Sequence, residues 1–174
     1  MSDDRNLEVL TPPEPLVLTT DQDGLTLREM TTVDEDQALL QAQNDNLNHI
    51  AQFGNTILKT VEEATEARLN SGWVKLGIWK DGQLIGLQGF KPNDTASEAE
   101  TGIWLIHEAT GHGYATSACT ALSRYLAKKY HRVFLETAAN NQKAIKTFER
   151  SGYRPTGQTI QRDYGQAIVM DFVV

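Results

Sequence analysis

A single cysteine, Cys119, in 174 residues excludes an internal disulfide and any zinc cluster built on cysteine. Its place inside an expected helix makes it a small apolar packing residue. No apolar run approaches the roughly eighteen residues of a membrane span. The N-terminus, MSDDRNLEVL, carries acids where a secretory leader needs bases. The expectation is a cytoplasmic protein that does not meet the membrane. Positive charge is also scarce: 16 Lys and Arg stand against 23 Asp and Glu, a net −7. That balance opposes a nucleic-acid footprint, which needs clustered basic residues. It suits an amine-bearing or cationic partner, and it equally suits plain solubility. No spacing of His, Asp and Glu suggests a metal site.

What is present is the composition of an ordinary globular domain, 40% apolar and 22% charged. Residues 1–20 hold three of the five prolines, in TPPEP, and no helical periodicity. They read as an extended or partly ordered arm before a single domain over residues 21–174. In that domain LTLREM alternates as a strand, and DEDQALLQAQNDNL opens with the acids a helix N-terminus favours. TVEEATEARLN sets Thr60 and Glu63 at capping-box spacing. WVKLGIWKDGQLIGLQGF holds two apolar-rich runs around Asp81-Gly82, a dipeptide of tight primed hairpin turns. EAETGIWLI reads as a further strand, GYATSACTALSRYLAKKY as a helix, RVFLETA as a strand and NNQKAIKTFERSG as a helix closed by Gly152. Two strands, GYRPTGQ and GQAIVMDFVV, complete the chain.

The loop EATGHGYATSA joins the strand TGIWLI to the following helix. A helix N-terminus offers unpaired N–H groups at its positive end, and glycines at 111 and 113 let an anion approach the backbone. Alone, the loop is either a phosphate cradle or a plain turn. It lacks the Gly-Lys-Ser/Thr ending of a P-loop, and Thr116 stands where the dinucleotide fingerprint has its third glycine.

AETGIWLIHEATGHGYATSA resembles the GNAT superfamily pattern A-E-I-G-Y-W-L followed by Q/R-x-x-G-x-G/A, and NQKAIKTFERSGY resembles N-x-x-A/S-x-x-x-Y/L-E-K-x-G-F. With the element order, the chain is identified as a member of that superfamily over residues 25–172, similar to the branch that acetylates ribosomal-protein N-termini. The resemblance implies an α/β (α+β) fold with a mixed, mostly antiparallel sheet splayed around acetyl-CoA. It implies pyrophosphate contacts from the backbone of Gly111, His112, Gly113, Tyr114, Ala115 and Thr116. Pantetheine would pair along Ile103, Trp104 and Leu105, and Asn141 would touch the cofactor. Lys143 and Lys146 read as a solvated helix face.

Two departures concern the proton donor. Phe148 stands where many members have tyrosine, and Ala144 where the ribosomal-protein branch has serine. Thr110 replaces the usual Gln or Arg. The candidate bases are Glu136, five residues before Asn141, and Glu100, the Glu of the A-E-I-G-Y-W-L pattern. Each is alternatively a strand-edge carboxylate paired with a base such as Arg132 or Arg154. Tyr153 and Tyr164 are either substitute proton donors or, as the favoured reading, packing or structurally hydrogen-bonded residues. His49 either lines the acceptor pocket or is a hydrogen-bonded loop residue. The expected activity is acetyl transfer to a primary amine, either a small molecule or a protein N-terminus. The alternative is a non-catalytic acyl-CoA-binding sensor. The acceptor would be set by the first helices, the segment Asn48 to Asn55 and TIQRDYGQ; a homodimer is compatible with all of this.

Overall fold

The computed structural model describes residues 13–51 and 55–174. The first twelve residues of the expected arm, and residues 52–54 of the expected acceptor segment, lie outside them. The end of the arm is a short edge strand: β1 (Val17–Thr19) pairs antiparallel with β2 (Leu25–Glu29).

Three helices follow, one more than the two expected: α1 (Val33–Asn44), α2 (Leu47–Ala51) and α3 (Val61–Asn70). The complete capping box is at α1. There Thr32 Oγ1 accepts from Glu35 N, and the Glu35 carboxylate accepts from Thr32 N. At α3 only half the box forms, because the Glu63 carboxylate takes the Lys59 N–H instead of that of Thr60. Helices α1 and α3 are tied by Asp36, 1% exposed, whose two oxygens accept from Arg68 Nε and Nη2 and from Thr65 Oγ1 at 2.8 to 3.0 Å.

Strands β3 (Val74–Lys80) and β4 (Gln83–Asn93) form the expected hairpin. Asp81 and Gly82 have φ of 49° and 81°, the doubly positive turn that matches strand twist. Then come β5 (Glu98–Leu105), α4 (Tyr114–Ala127), β6 (Arg132–Ala138), α5 (Gln142–Arg150), β7 (Tyr153–Arg162) and β8 (Gly165–Phe172). The sheet order is β1-β2-β3-β4-β5-β6-β8-β7.

Only β5 and β6 pair in parallel among the described strands, and only at Glu98↔Arg132, Ala99↔Val133 and Glu100↔Phe134. Beyond Glu100 they part, while β5 stays paired with β4 as far as Leu105 and β6 with β8 as far as Ala138. The core divides at the same place. One cluster sets Leu27, Leu76, Ile78 and Phe90 against Leu122 and Leu126 of α4. The other joins Leu135, Met170 and Tyr153 to Ile145 and Phe148 of α5. Each fully buried aliphatic side chain contributes about 1.5–3 kcal/mol. Val133 of β6 joins the first cluster and Cys119 of α4 the second, while Ile103 and Phe172 border both. Tyr153 braces the gap from within: its hydroxyl is 3.0 Å from Thr101 Oγ1 on β5 and 2.5 Å from Ser123 Oγ on α4.

Candidate functional site

Where β5 and β6 diverge, a cleft of about 400 Å³ opens between β5, the start of α4 and the exposed side of α5. From Gly102 to Leu105 the second edge of β5 has no strand partner, so its main-chain donors and acceptors are available to an extended ligand. At the end of this edge a short 3-10 turn, His107–Ala109, leads into the glycine loop.

Gly111 and Gly113 have φ of +80° and +79°, the left-handed region that side chains disfavour. Gly113 is the residue before α4, where a Ser or Asp would normally accept the first free N–H groups; it has no side chain, and the first turn holds no acid. The amides of Tyr114, Ala115 and Thr116 therefore face the cleft with no side-chain cap, at the positive end of a fourteen-residue helix. From the opposite wall Lys143, Lys146 and Arg150 border the same space, and no Asp or Glu does among the described residues. In a chain of net charge −7 this is a local reversal of sign. Lys143 and Lys146 are exposed, as the sequence suggested, yet they are more than a solvated face.

Ile103, Trp104, Leu105, Gly111, Gly113, Tyr114, Ala115, Thr116 and Asn141 all line the cleft. Asn141 also caps α5, its Oδ1 accepting from Ala144 N at 3.2 Å. His112 does not line it. Its ring stacks on Tyr114 at 5.3 Å, and its carbonyl accepts from Gln22 Nε2. Thr110 borders the cleft but spends its hydroxyl on His107 O at 2.6 Å. Phe148 forms part of the apolar wall, so the aromatic surface is kept where the hydroxyl is missing. His49 reaches the cleft from α2, edge-on to His107 at 5.2 Å. Burial, with the charges of His107 and Lys143, holds its imidazole below the usual histidine range.

Neither candidate base borders this cleft. The carboxylate of Glu136 is gripped by Arg162, whose Nη2 donates at 2.6 and 2.8 Å and Nε at 3.1 Å. Its partner is therefore Arg162, not Arg132 or Arg154. Arg132 instead bridges Glu98 and Asp171, and Arg154 donates to backbone carbonyls of Glu149 and Tyr153. Glu100 is half-buried, and burial, reinforced by the charge of Glu136, pushes its carboxyl above the usual range against Lys91 and Arg162. By strand alternation it shares a face of β5 with Gly102 and Trp104, which border a second cleft. Cys119 is buried, and burial pushes its thiol up to about 12, which makes it an inert packing residue. Tyr153 is likewise a buried structural group, its hydroxyl raised above the usual range by burial.

The second cleft, about 370 Å³, lies on the face of α1 and α3 and shares Asn55, Ile103 and Trp104 with the first. The two meet through the gap beside β5. This second cleft lies on the first helices and includes Asn55, elements that the sequence assigns to the acceptor, and its floor on β3 to β5 is set only in the folded chain.

The sequence profile of the acetyltransferase (GNAT) domain matches residues 24–154. The Bacillus subtilis (strain 168) protein named "Putative ribosomal N-acetyltransferase YdaF" is 29% identical over 103 residues, 58% of this chain and 56% of the relative. That match thus spans little more than half of the relative's length. Among solved structures, a ribosomal L7/L12 alpha-N-protein acetyltransferase, RimL, in complex with coenzyme A superimposes with a TM-score of 0.78 at 15% identity, over 90% of this chain and 98% of that one. A spermidine N-acetyltransferase from Vibrio cholerae with CoA and spermine gives 0.74 at 19% identity, over 87% and 96%. The superpositions show a shared overall fold, and, with the family match over residues 24–154, the chain belongs to the acetyltransferase (GNAT) family.

Proposed function

We propose that the protein is an acetyl-CoA-dependent N-acetyltransferase that moves the acetyl group directly to a primary amine, on a small molecule or a protein N-terminus. The observation that carries this reading is the unpaired edge of β5 running into an acid-free cleft, where the amide-rich start of α4 faces Lys143, Lys146 and Arg150. The pyrophosphate is held by the amides of the Gly111–Thr116 loop. The free edge from Ile103 to Leu105 receives the pantetheine amides as an added strand would. Asn141 and the three cations border the remaining phosphate-bearing portion.

Acetyl-CoA supplies an activated thioester whose carbonyl carbon is open to an amine. The chain's part is to hold the two reactants in line and to offer main-chain N–H groups of β5 to the carbonyl oxygen as negative charge develops on it. The amine nitrogen bonds to that carbon, the carbon–sulfur bond breaks, sulfur keeps the electron pair, and the amine proton passes to water. A thiol of ordinary pKa near 8.5 leaves tolerably as thiolate, so a phenylalanine at position 148 is compatible with turnover. Glu100, on the face of β5 that leads to Gly102, is the candidate to accept the amine proton through water, with Glu136 behind it.

Phe148 in the cleft wall favours a second reading, a non-catalytic acyl-CoA sensor. The two are separated by following free thiol with acetyl-CoA and a panel of amines that includes peptides with free α-amino groups. Amine-dependent thiol release is expected. Tight coenzyme binding with no amine in the panel accelerating release would replace the enzyme with the sensor.

A further inference from the structure

The second cleft contains one charged residue among those described, Lys75. It projects from β3 onto the face covered by α1 and α3, in the cross-strand row Lys75↔Gly89↔Gly102. Both other members are glycines, so nothing rises from the floor between Lys75 and the free edge of β5, a distance of two strand spacings or about 10 Å. The indole of Trp73 lies over that floor, its carbons 3.2 Å from where a Cβ of Gly89 would stand and 3.7 Å from that of Gly102. Leu39, Leu58 and Leu87 complete an apolar enclosure.

Lys75 is half-buried, and its Nζ, which keeps contact with solvent, has no hydrogen-bond or ion-pair partner among the described residues. Asp36 is the charge of opposite sign that acts on it. That carboxylate is already committed to Arg68 and Thr65. Two of the other polar lining residues are engaged as well. Gln43 donates to and accepts from the backbone of Leu58, and Ser71 Oγ accepts from Trp73 N. A partly desolvated ammonium without a counterion is costly, and burial accordingly pulls the Lys75 ammonium below its usual range. An anion entering the cleft would relieve that cost.

We infer that the second cleft takes the acceptor, and that Lys75 selects amines bearing an oxyanion, a carboxylate or a phosphate, on an apolar frame. This rests on the acetyltransferase reading and narrows it. The apolar enclosure holds the frame, the ammonium holds the oxyanion, and the amine is left at Ile103 and Trp104, where the two clefts meet. The same cation works against polyamines, whose charge it repels.

The test uses the full chain with acetyl-CoA and matched pairs of amines whose amine and oxyanion stand several carbons apart: 6-aminohexanoate against 6-aminohexanamide, 6-aminohexyl phosphate against 6-aminohexanol, and spermidine as the cationic control. The oxyanion member of a pair is expected to show a kcat/KM about tenfold higher, as befits a charge-assisted contact. Lys75→Met should bring that ratio close to one, mainly through KM, and Lys75→Arg should restore part of it. The two pairs tell a carboxylate site from a phosphate site. Equal kcat/KM within both pairs, or a ratio that survives Lys75→Met, would overturn the inference. Should no amine release thiol, the acetyltransferase reading fails by itself. Calorimetric binding of each pair to the CoA-loaded protein then decides on Lys75: oxyanion preference lost in Lys75→Met supports the anchor, and no preference refutes it.

Discussion

Gln22 and Ser117 are joined across 95 residues of sequence, Gln22 Nε2 donating to Ser117 Oγ at 3.2 Å and also reaching His112 O at 3.4 Å. A side chain in the β1–β2 connection thereby braces both the glycine loop and the first turn of α4. Gln22→Ala removes the brace and leaves the amides themselves in place. CoA affinity is expected to fall by about three- to tenfold, the loss of one or two neutral hydrogen bonds, with little change in melting temperature. Isothermal calorimetry with CoA measures it, and an unchanged Kd would mean that the loop holds its shape alone.

Gly113→Val acts on the cradle directly. The residue has φ +79°, and an added Cβ would stand 3.2 Å from Gln22 Nε2. A β-branched residue forced into left-handed backbone costs on the order of 1–3 kcal/mol, so CoA affinity should drop at least roughly fivefold, with more from crowding. Gly111→Ala is the comparison: φ is +80°, but nothing lies within 4 Å of its Cβ. It should show strain with no clash and a smaller loss. Equal losses in both variants would assign the effect to backbone strain alone.

For Glu100, burial and the neighbouring Glu136 charge raise the folded-state carboxyl above its usual range. In the pH interval between the unfolded and folded values the folded chain binds more protons, so stability falls as pH rises through it and stays reduced above. Glu100→Gln abolishes that ionisation. The variant should unfold at a higher temperature than the wild type at pH 7, and the advantage should vanish at pH below the carboxylate range. If Glu100 takes the amine proton, the same variant loses turnover with its largest deficit on the alkaline side, where the wild-type carboxylate is ionised. Loss of turnover equal at every pH would mark Glu100 as structural.

Tyr153→Phe removes a hydroxyl that joins Thr101 and Ser123 in the core. Ser123 is fully buried, and its hydroxyl would lose this partner, so the expected cost is about 1–3 kcal/mol, read from urea denaturation. The pH profile of turnover should keep its shape. A profile that lost its alkaline limb would make Tyr153 the missing proton donor after all.

Much of the fold follows local rules, and those parts were legible. Asp81-Gly82 needs doubly positive φ, α4 places Ala118, Leu122 and Leu126 on one buried face, and Gly152 ends the last helix with φ +103°. The glycine loop and the free edge of β5 were also readable, because the cofactor site is built largely from main chain close in sequence. The carboxylates were not. Glu136 sits on its strand as expected, but its partner Arg162 belongs to a hairpin that returns 26 residues later. Lys75 could not be found at all. In VKLGIWK the alternation gives Lys75, Gly77 and Trp79 one face, which reads as the solvent side until α1 and α3 close over it. Gln22 is missed for the same reason, its partner lying in another element. Val17–Thr19 and the five-residue α2 are too short to show a period.

The parting of β5 from β6 has a thermodynamic corollary. The core forms two clusters that share Ile103 and Phe172 at their margins, and only three residue pairs join β5 to β6. A ligand laid beyond those pairs becomes part of the sheet, and at a hundred times its Kd it adds about 2.7 kcal/mol to the folded state. Amide exchange along β5 and β6 would then report how much coenzyme is present, so that this protein's persistence against unfolding rises and falls with the supply of its own co-substrate.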